Sequence, residues 1–384
     1  MAKESASVLV RGKRKVANTT VIVSPRERYS PIIESLQSLF STISSDVPVI
    51  VVGRYPISLR EKLRELSRIR PFHHEAREWQ LIPNEARNIG TDLVETPYIA
   101  YCDNDMLYER GWLQALEAHA DRTGVEVVAP VTCIGLPRAR IIHHAGGVIS
   151  VTVDDKGIHL KETMNLKDRS INFLEGANFP RITDTGEFHT IFVRTDFMRK
   201  IGVLDERLIT REHIDFALRV MQAGGRIGFE QRALVTQNAW SKLEPGDLSY
   251  HVFRWSHEYA VRSLDAFERT WGLYVDRNAI LKDWIRKHRR QRIMEEFATI
   301  RRVAGSRFVW HIIAPMIEWK NLREFNRPIV RRLPHEIPIT QRNDFIAELV
   351  QRTKDRAESL RGPLDFATAH PDRLEHRTAP SAQV

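Results

Sequence analysis

Residues 97–112 read PYIAYCDNDMLYERGW. Tyr98 to Cys102 is a short run of apolar, aromatic and β-prone side chains, the signature of a buried strand. It stops at Asp103, Asn104 and Asp105. Two carboxylates one residue apart at the C-terminal end of a strand point the same way, and open α/β sheets bind ligands at that edge. Hard oxygen ligands of this kind suit Mg²⁺ or Mn²⁺, which keep further coordination positions for water and phosphate. A polar turn is the plainer reading, because Asp and Asn are common turn formers. On the tripeptide alone the turn is favoured, since short motifs recur by chance. The flanking sequence shifts that balance.

Upstream, Thr19–Val23 is a β-branched run, followed by a Pro25-Arg26-Glu27-Arg28 loop. Ile32, Ile33, Leu36, Leu39 and Phe40 form a helical stripe within 29–43. Val47–Val52 reads as a second buried strand, Leu59–Ile69 as an amphipathic helix, Glu78–Ile82 as a short strand and Asn84–Leu93 as a helix. Alternating strands and helices predict an α/β fold with a parallel sheet and crossover helices. Neither GxGxxG nor GxxxxGK[ST] occurs, so no dinucleotide fingerprint or P-loop holds a phosphate. Downstream, Leu113–Ala120 is a helix and Val125–Pro130 a strand. Ile141–Val153 reads as one strand with a glycine interruption, and 154–187 as a polar, loop-rich stretch. Thr190–Val193 is β-like, Asp196–Ile201 a short helix, and Glu212–Ala223 a helix stopped by Gly224-Gly225. Arg226–Phe229 and Ala233–Val235 suggest closing strands.

The 384 residues are 42% hydrophobic and 28% charged, enough for a large core plus an appendage. No apolar run approaches the ~20 residues of a membrane span, and the N-terminus is not a convincing signal peptide. Only Cys102 and Cys133 occur, so a reducing, cytoplasmic setting is expected rather than a disulfide framework. Net charge is +9, with basic residues gathered late, as in WIRKHRRQR (284–292). Such a surface attracts phosphorylated substrates, anionic lipid or nucleic acid. No zinc-finger spacing or aromatic RNA-binding signature supports nucleic acid. Expected boundaries are a flexible basic tail over 1–17, a main α/β domain over 18–250, a helix-rich basic extension over 251–361 and a disordered tail over 362–384.

Several segments together carry a family resemblance. They are the strand at Val21, NEARNIG (84–90), YIAYCDNDM, FHTIFVRTDFMRKIGVLDERL (188–208) and REHIDFALRVMQAGGRIGF (211–229). In this order and spacing the chain resembles the inverting family 2 glycosyltransferases over roughly residues 18–240. The resemblance implies a GT-A fold, a Rossmann-like mixed sheet, here with a helical C-terminal extension. It also implies a nucleoside diphosphate sugar donor carrying uridine or guanosine, a Mn²⁺ or Mg²⁺ ion, and attack by a glycan, glycolipid or other hydroxyl acceptor. A lipid-linked acceptor would bring the enzyme to the inner membrane face, where the basic extension could make a peripheral contact.

By resemblance Asp105 binds the metal, and Asp103 binds the sugar, the ribose or the same ion. Pro25, Arg87, Asn88 and Asn104 fall in donor-contacting segments, with Asn104 shaping the loop. His189 falls in the block that faces the acceptor. Where the family carries Glu-Asp, with the Asp commonly the base, this chain reads Glu212-His213. His213 is therefore the expected base, Glu212 the runner-up, and Asp215 a third carboxylate on the helix of Glu212. The acidic residue that often reads the nucleotide base is replaced by Val52-Gly53-Arg54, and Gln237-Asn238 stands where a histidine is frequent. His143-His144 would face opposite ways on a strand and are read as structural. The replaced base motif also admits a non-catalytic sugar-nucleotide or glycan binder on the same scaffold. A nucleotidyltransferase is a weaker reading, because NEARNIG and the 211–229 block favour glycosyl transfer.

Overall fold

A computed structural model describes residues 17–135, 137–174, 181–239, 244, 246–325 and 332–359. The expected tails at 1–17 and 362–384 lie almost wholly outside the described residues. The chain runs β1 (Thr19–Ser24), α1 (Ile32–Thr42), β2 (Val49–Gly53), α2 (Ile57–Ile69), β3 (His73–Ala76), α3 (Pro83–Thr91) and β4 (Tyr98–Asp103). Strands β1, β2 and β4 are buried along their whole length, as continuous apolar strands covered on both faces must be. Alternation divides their side chains between two cores. Val21, Val23, Val49 and Val51 pack with Leu36, Leu39, Leu59 and Leu63 of α1 and α2. Ile22, Ile50 and Val52 face the opposite core, with Ala86 of α3.

The next elements are β5 (Met106–Tyr108), α4 (Trp112–Thr123), β6 (Val127–Ile134), β7 (Ile141–His144), β8 (Gly147–Asp154), β9 (Gly157–Met164), β10 (Ile182–Thr183), β11 (Thr190–Arg194), α5 (Thr195–Ile201), α6 (Glu212–Gln222) and β12 (Ile227–Gln237). The main sheet has the order β10-β12-β6-β11-β4-β1-β2-β3, with β5 on β12 and β7 on β6. Strands β3, β2, β1 and β4 are parallel, and β11 runs antiparallel between β4 and β6. The expected α/β architecture is therefore present as a mixed sheet, with helices throughout the described C-terminal region.

Four local expectations are corrected. Residues 78–82 form no strand. The third parallel strand is His73–Ala76, whose HHEA, two residues exposed and two half-buried, carries no apolar signal, while Leu81 and Ile82 are buried at the approach to α3. Ile141–Val153 is two strands in different sheets. The chain turns at Gly146, whose φ of +73° suits glycine and whose added Cβ would lie 2.6 Å from Thr183 Oγ1. Within 154–187, β9 pairs along its full length with β8, and β13 (Leu273–Tyr274) completes this small second sheet. The closing strands are a single bulged strand, β12.

Beyond residue 246 come α7 (Asp247–Arg254), α8 (His257–Trp271), a π-helical stretch Ala279–Arg286, α9 (Lys287–Glu296) and helices Ala298–Ala304, Ala314–Phe325 and Ile339–Ser359. Trp255, Leu264, Trp271, Ile280, Ile285, Ile346 and Leu349 join the core that contains Ile22. The extension is thus part of the same packed body. Trp271 Nε1 donates to Asp215 Oδ1 at 2.8 Å, tying α8 to α6.

Candidate functional site

The DND turn leaves β4 at the C-terminal edge of the parallel strands. Asn104 shapes it: its Oδ1 accepts from Arg26 N at 3.0 Å and its Nδ2 donates to the Arg28 carbonyl at 2.7 Å. The β1 and β4 loops are thereby laced together. Pro25 sits in that loop with its carbonyl 3.3 Å from the Tyr250 hydroxyl.

Asp103 is fully buried. Arg87 Nη2 donates to its Oδ1 at 2.9 Å, and Arg26 Nε and His189 Nδ1 lie 3.6 and 3.0 Å from its Oδ2. Burial opposes ionisation, but Arg87, His189 and Arg26 outweigh it and hold Asp103 below the usual carboxylate range. Asp105 has less support. Its Oδ2 accepts from Gln237 Nε2 at 3.1 Å, and its Oδ1 is buried with no hydrogen-bond partner. Burial first, then the neighbouring Asp103 charge, raises Asp105 to about 6. An ionised, incompletely satisfied carboxylate away from water is costly unless paired or metal-bound. Asp103, Asp105 and His189 each bring a ligand atom within 4.8 Å of the others. This donor set and the orphaned Oδ1 fit a divalent cation.

Arg26, His189 and Gln237 also form part of the wall of a cavity of about 560 Å³. The carboxylate pair thus lies directly behind that wall. The cavity is bounded by Glu212 and His213 on one side and by Trp255, Trp284, His288 and Arg292 of the C-terminal helices on the other. Arg211 sits in the left-handed region, at φ 63°, where α6 begins. Glu212 Oε1 accepts from Arg26 Nη1 at 2.7 Å and from Arg254 Nη2 at 3.4 Å. Against burial, these two guanidinium groups hold Glu212 at about 2. His213 Nε2 stands 3.1 Å from Glu162 Oε2 on β9. Burial alone would lower the His213 pKa, but Glu162 outweighs it and the net shift is upward.

Other expected residues do not face the cavity. Asp215 accepts from Trp271 and, at 2.9 Å, from Arg219 Nε. Asn88 donates to Leu204 O and Glu206 Oε1 and accepts from Leu204 N, fastening the 204–206 turn. Arg87 is buried under the Phe188 ring, 4.2 Å from its centroid. The structure adds Arg26, Glu162, Glu187 and His143 to the site. Glu162 and Glu187 lie in the stretch read as loop, where no local periodicity marks them. Arg26 was visible only as a loop residue.

Residues 20–176 match the family model described as Glycosyl transferase family 2. A 161-residue stretch, 42% of the chain, is 27% identical to the pre-mycofactocin glycosyltransferases of Mycobacterium tuberculosis strains CDC 1551 and H37Rv. The match spans about a third, 31%, of the length of these curated relatives. Among solved structures, GalNAc-T7 with UDP, GalNAc and Mn²⁺ aligns at TM-score 0.45 and 13% identity, covering 66% of this chain and 50% of that one. S. aureus TarS 1–349 in complex with UDP-GlcNAc aligns at TM-score 0.42 and 15% identity, covering 80% and 90%.

Proposed function

From the match of residues 20–176 to the Glycosyl transferase family 2 model, we propose that the chain transfers a sugar, with inversion, from a nucleoside diphosphate sugar to a hydroxyl acceptor. The observation that carries this reading is the buried Asp103–Asp105 pair, with its orphaned oxygen, at the end of β4 beside a large cavity. In this reading Asp105 and Asp103 hold a Mn²⁺ or Mg²⁺ ion with the donor diphosphate. Bound there, the ion supplies positive charge against the charge that develops on the leaving diphosphate. Arg26, on the cavity wall, adds a fixed cation beside the same group. Arg87 buttresses Asp103 from the core, Asn104 and Pro25 set the loop, and Asn88 and Asp215 act as scaffold.

His213 is the proposed general base. It lines the cavity, and Glu162 behind it fixes the ring and stabilises the imidazolium formed when the acceptor hydroxyl gives up its proton. Glu212 is the weaker candidate, because a carboxylate held near 2 by two arginines takes a proton poorly at neutral pH. His189 stays at the Asp103 edge of the cavity wall, where it can also meet an acceptor.

The test is turnover of a panel of nucleotide sugars with Mn²⁺ or Mg²⁺, with and without simple sugar acceptors. Metal-dependent release of nucleoside diphosphate supports the enzyme. Metal-dependent binding without release under every acceptor condition favours the binding-protein reading instead.

A peripheral contact with an anionic membrane belongs to the same proposal. No helix among the described residues is long and apolar enough to cross a membrane. Phe308, Ile312 and Met316 recur every four residues and are 43%, 49% and 66% exposed, and nearby Val303 is 87% exposed. Arg301, Arg302 and Arg307 flank them, also exposed. The opposite face buries Val309 and Ala314 against Val252 and Ile293. Apolar residues edged by arginines suit an anionic lipid surface. Flotation with phosphatidylglycerol vesicles, lost in the Phe308→Ser/Ile312→Ser/Met316→Ser variant, is the expected result. Equal flotation of both proteins would remove this part of the proposal.

A further inference from the structure

Among the described residues, one other group besides Asp103, Asp105 and His189 has side chains placed to hold a metal ion. Strand β7 carries His143, and the segment leading into β11 carries Glu187 and His189. His143 Nε2 lies 3.1 Å from Glu187 Oε2, and His189 Nε2 lies 3.2 Å from the same oxygen. All three residues line the cavity. Glu187 Oε2 is buried and pairs with both rings without a hydrogen bond of ordinary geometry. Ligand atoms held about 2.0–2.2 Å from one tetrahedral ion stand roughly 3.3 Å apart without hydrogen-bond alignment. The separations here are of that kind. His144, next in sequence, points the other way. Its ring nitrogens meet Thr185 Oγ1 at 3.4 Å and Gly146 N at 3.3 Å.

We propose that His143, Glu187 and His189 form a second metal site, which takes a transition-metal ion of the Zn²⁺ class and shares only His189 with the Asp103–Asp105 set. Two imidazoles and one carboxylate are a mixed nitrogen–oxygen set that prefers Zn²⁺ over Mg²⁺, whereas the aspartate pair is all oxygen. Three protein ligands leave a fourth position, and here it opens on the cavity. The ion therefore accepts an oxygen ligand from water or from a molecule seated there. His189 links the two sites, with Nδ1 toward Asp103 and Nε2 toward Glu187. The assignment does not depend on sugar transfer.

The test uses the full chain, stripped with chelator and titrated with Zn²⁺ alone in excess Mg²⁺, without nucleotide. Binding is read by calorimetry and by metal content after gel filtration. The wild type is expected to hold one Zn²⁺. His143→Ala and Glu187→Gln should weaken it at least ~10-fold, while Asp105→Asn keeps it. Wild-type crystals soaked in Zn²⁺ locate the ion by anomalous scattering at the zinc edge, even if a variant fails to fold. Anomalous density among His143, Glu187 and His189 supports the site. No bound Zn²⁺, binding indifferent to His143→Ala, or density only at Asp103–Asp105 would overturn it and leave the His–Glu–His group as an ion-paired cluster.

Discussion

The His213–Glu162 pair gives the proposed chemistry a pH signature. His213 Nε2 and Glu162 Oε2 are 3.1 Å apart and both side chains are nearly buried. Glu162, with smaller contributions from Glu187 and Glu212, raises the His213 pKa against the effect of burial. Below that raised pKa the ring is an imidazolium and cannot accept a proton. The rate is therefore lowest in acid and climbs about tenfold per pH unit, levelling off only above the ordinary histidine value of about 6.5. Glu162→Gln removes the largest opposing charge and leaves burial opposed only by the smaller contributions of Glu187 and Glu212. The inflection then moves to lower pH than in the wild type. His213→Ala should lose roughly 10²–10⁴-fold in kcat at the plateau. The assay is nucleoside diphosphate release from a nucleotide sugar with Mn²⁺, followed from about pH 5.5 to about 8.5. If Glu212 is the base, its pKa of about 2 makes the profile flat across that window. A flat profile, or a His213→Ala variant within threefold of wild type, would refute the assignment.

Three further outcomes follow from burial. Asp215→Ala leaves Arg219 and Trp271 without their buried acceptor. It should cost about 3–5 kcal/mol in denaturant unfolding, with nucleotide affinity of the folded protein within about twofold of wild type. Gly90 lies against β1, where an added Cβ would come 2.6 Å from Ile22 Cγ2. Gly90→Ala should destabilise by about 1–3 kcal/mol despite the better helix propensity, and a stabilised variant would contradict this packing. Asp105 is raised to about 6, so without metal its ionisation costs stability as pH rises from about 3.8 through 6. Asp105→Asn should therefore raise metal-free stability at neutral pH by on the order of 1–3 kcal/mol. Thermal melts with and without Mn²⁺ check this, since bound metal should favour the wild type instead.

The elements legible in the sequence were those buried on both faces or along a full helical stripe. Strands β1, β2 and β4 and helices α1 and α6 announce themselves by apolar runs and periodicity, and the DND turn by its carboxylates. Strand β3 did not, because HHEA lies at the sheet edge and buries little. Strand β9 escaped because GIHLKETM is mostly polar, in a small sheet with one solvated face. The site was half legible for a related reason. Asp103, Asp105, Glu212 and His213 occupy recognisable segments, but their partners come from distant parts of the chain. Glu162 meets His213 across 51 residues, and Gln237 meets Asp105 across 132. The same folding turns Asp215 and Asn88 inward to fasten neighbouring elements. Trp284, His288 and Arg292 reach the cavity only because the C-terminal helices pack onto the sheet, which no local pattern encodes.

The most direct test of the central claim is calorimetric binding of UDP and GDP to the metal-free protein, with and without Mn²⁺, for wild type and Asp105→Asn. The account predicts that Mn²⁺ tightens binding of one of the two at least ~10-fold in the wild type and has no effect in Asp105→Asn, which remains folded. Equal, metal-independent binding by both proteins, or no binding of either nucleotide, would contradict Asp103 and Asp105 as the metal–diphosphate site.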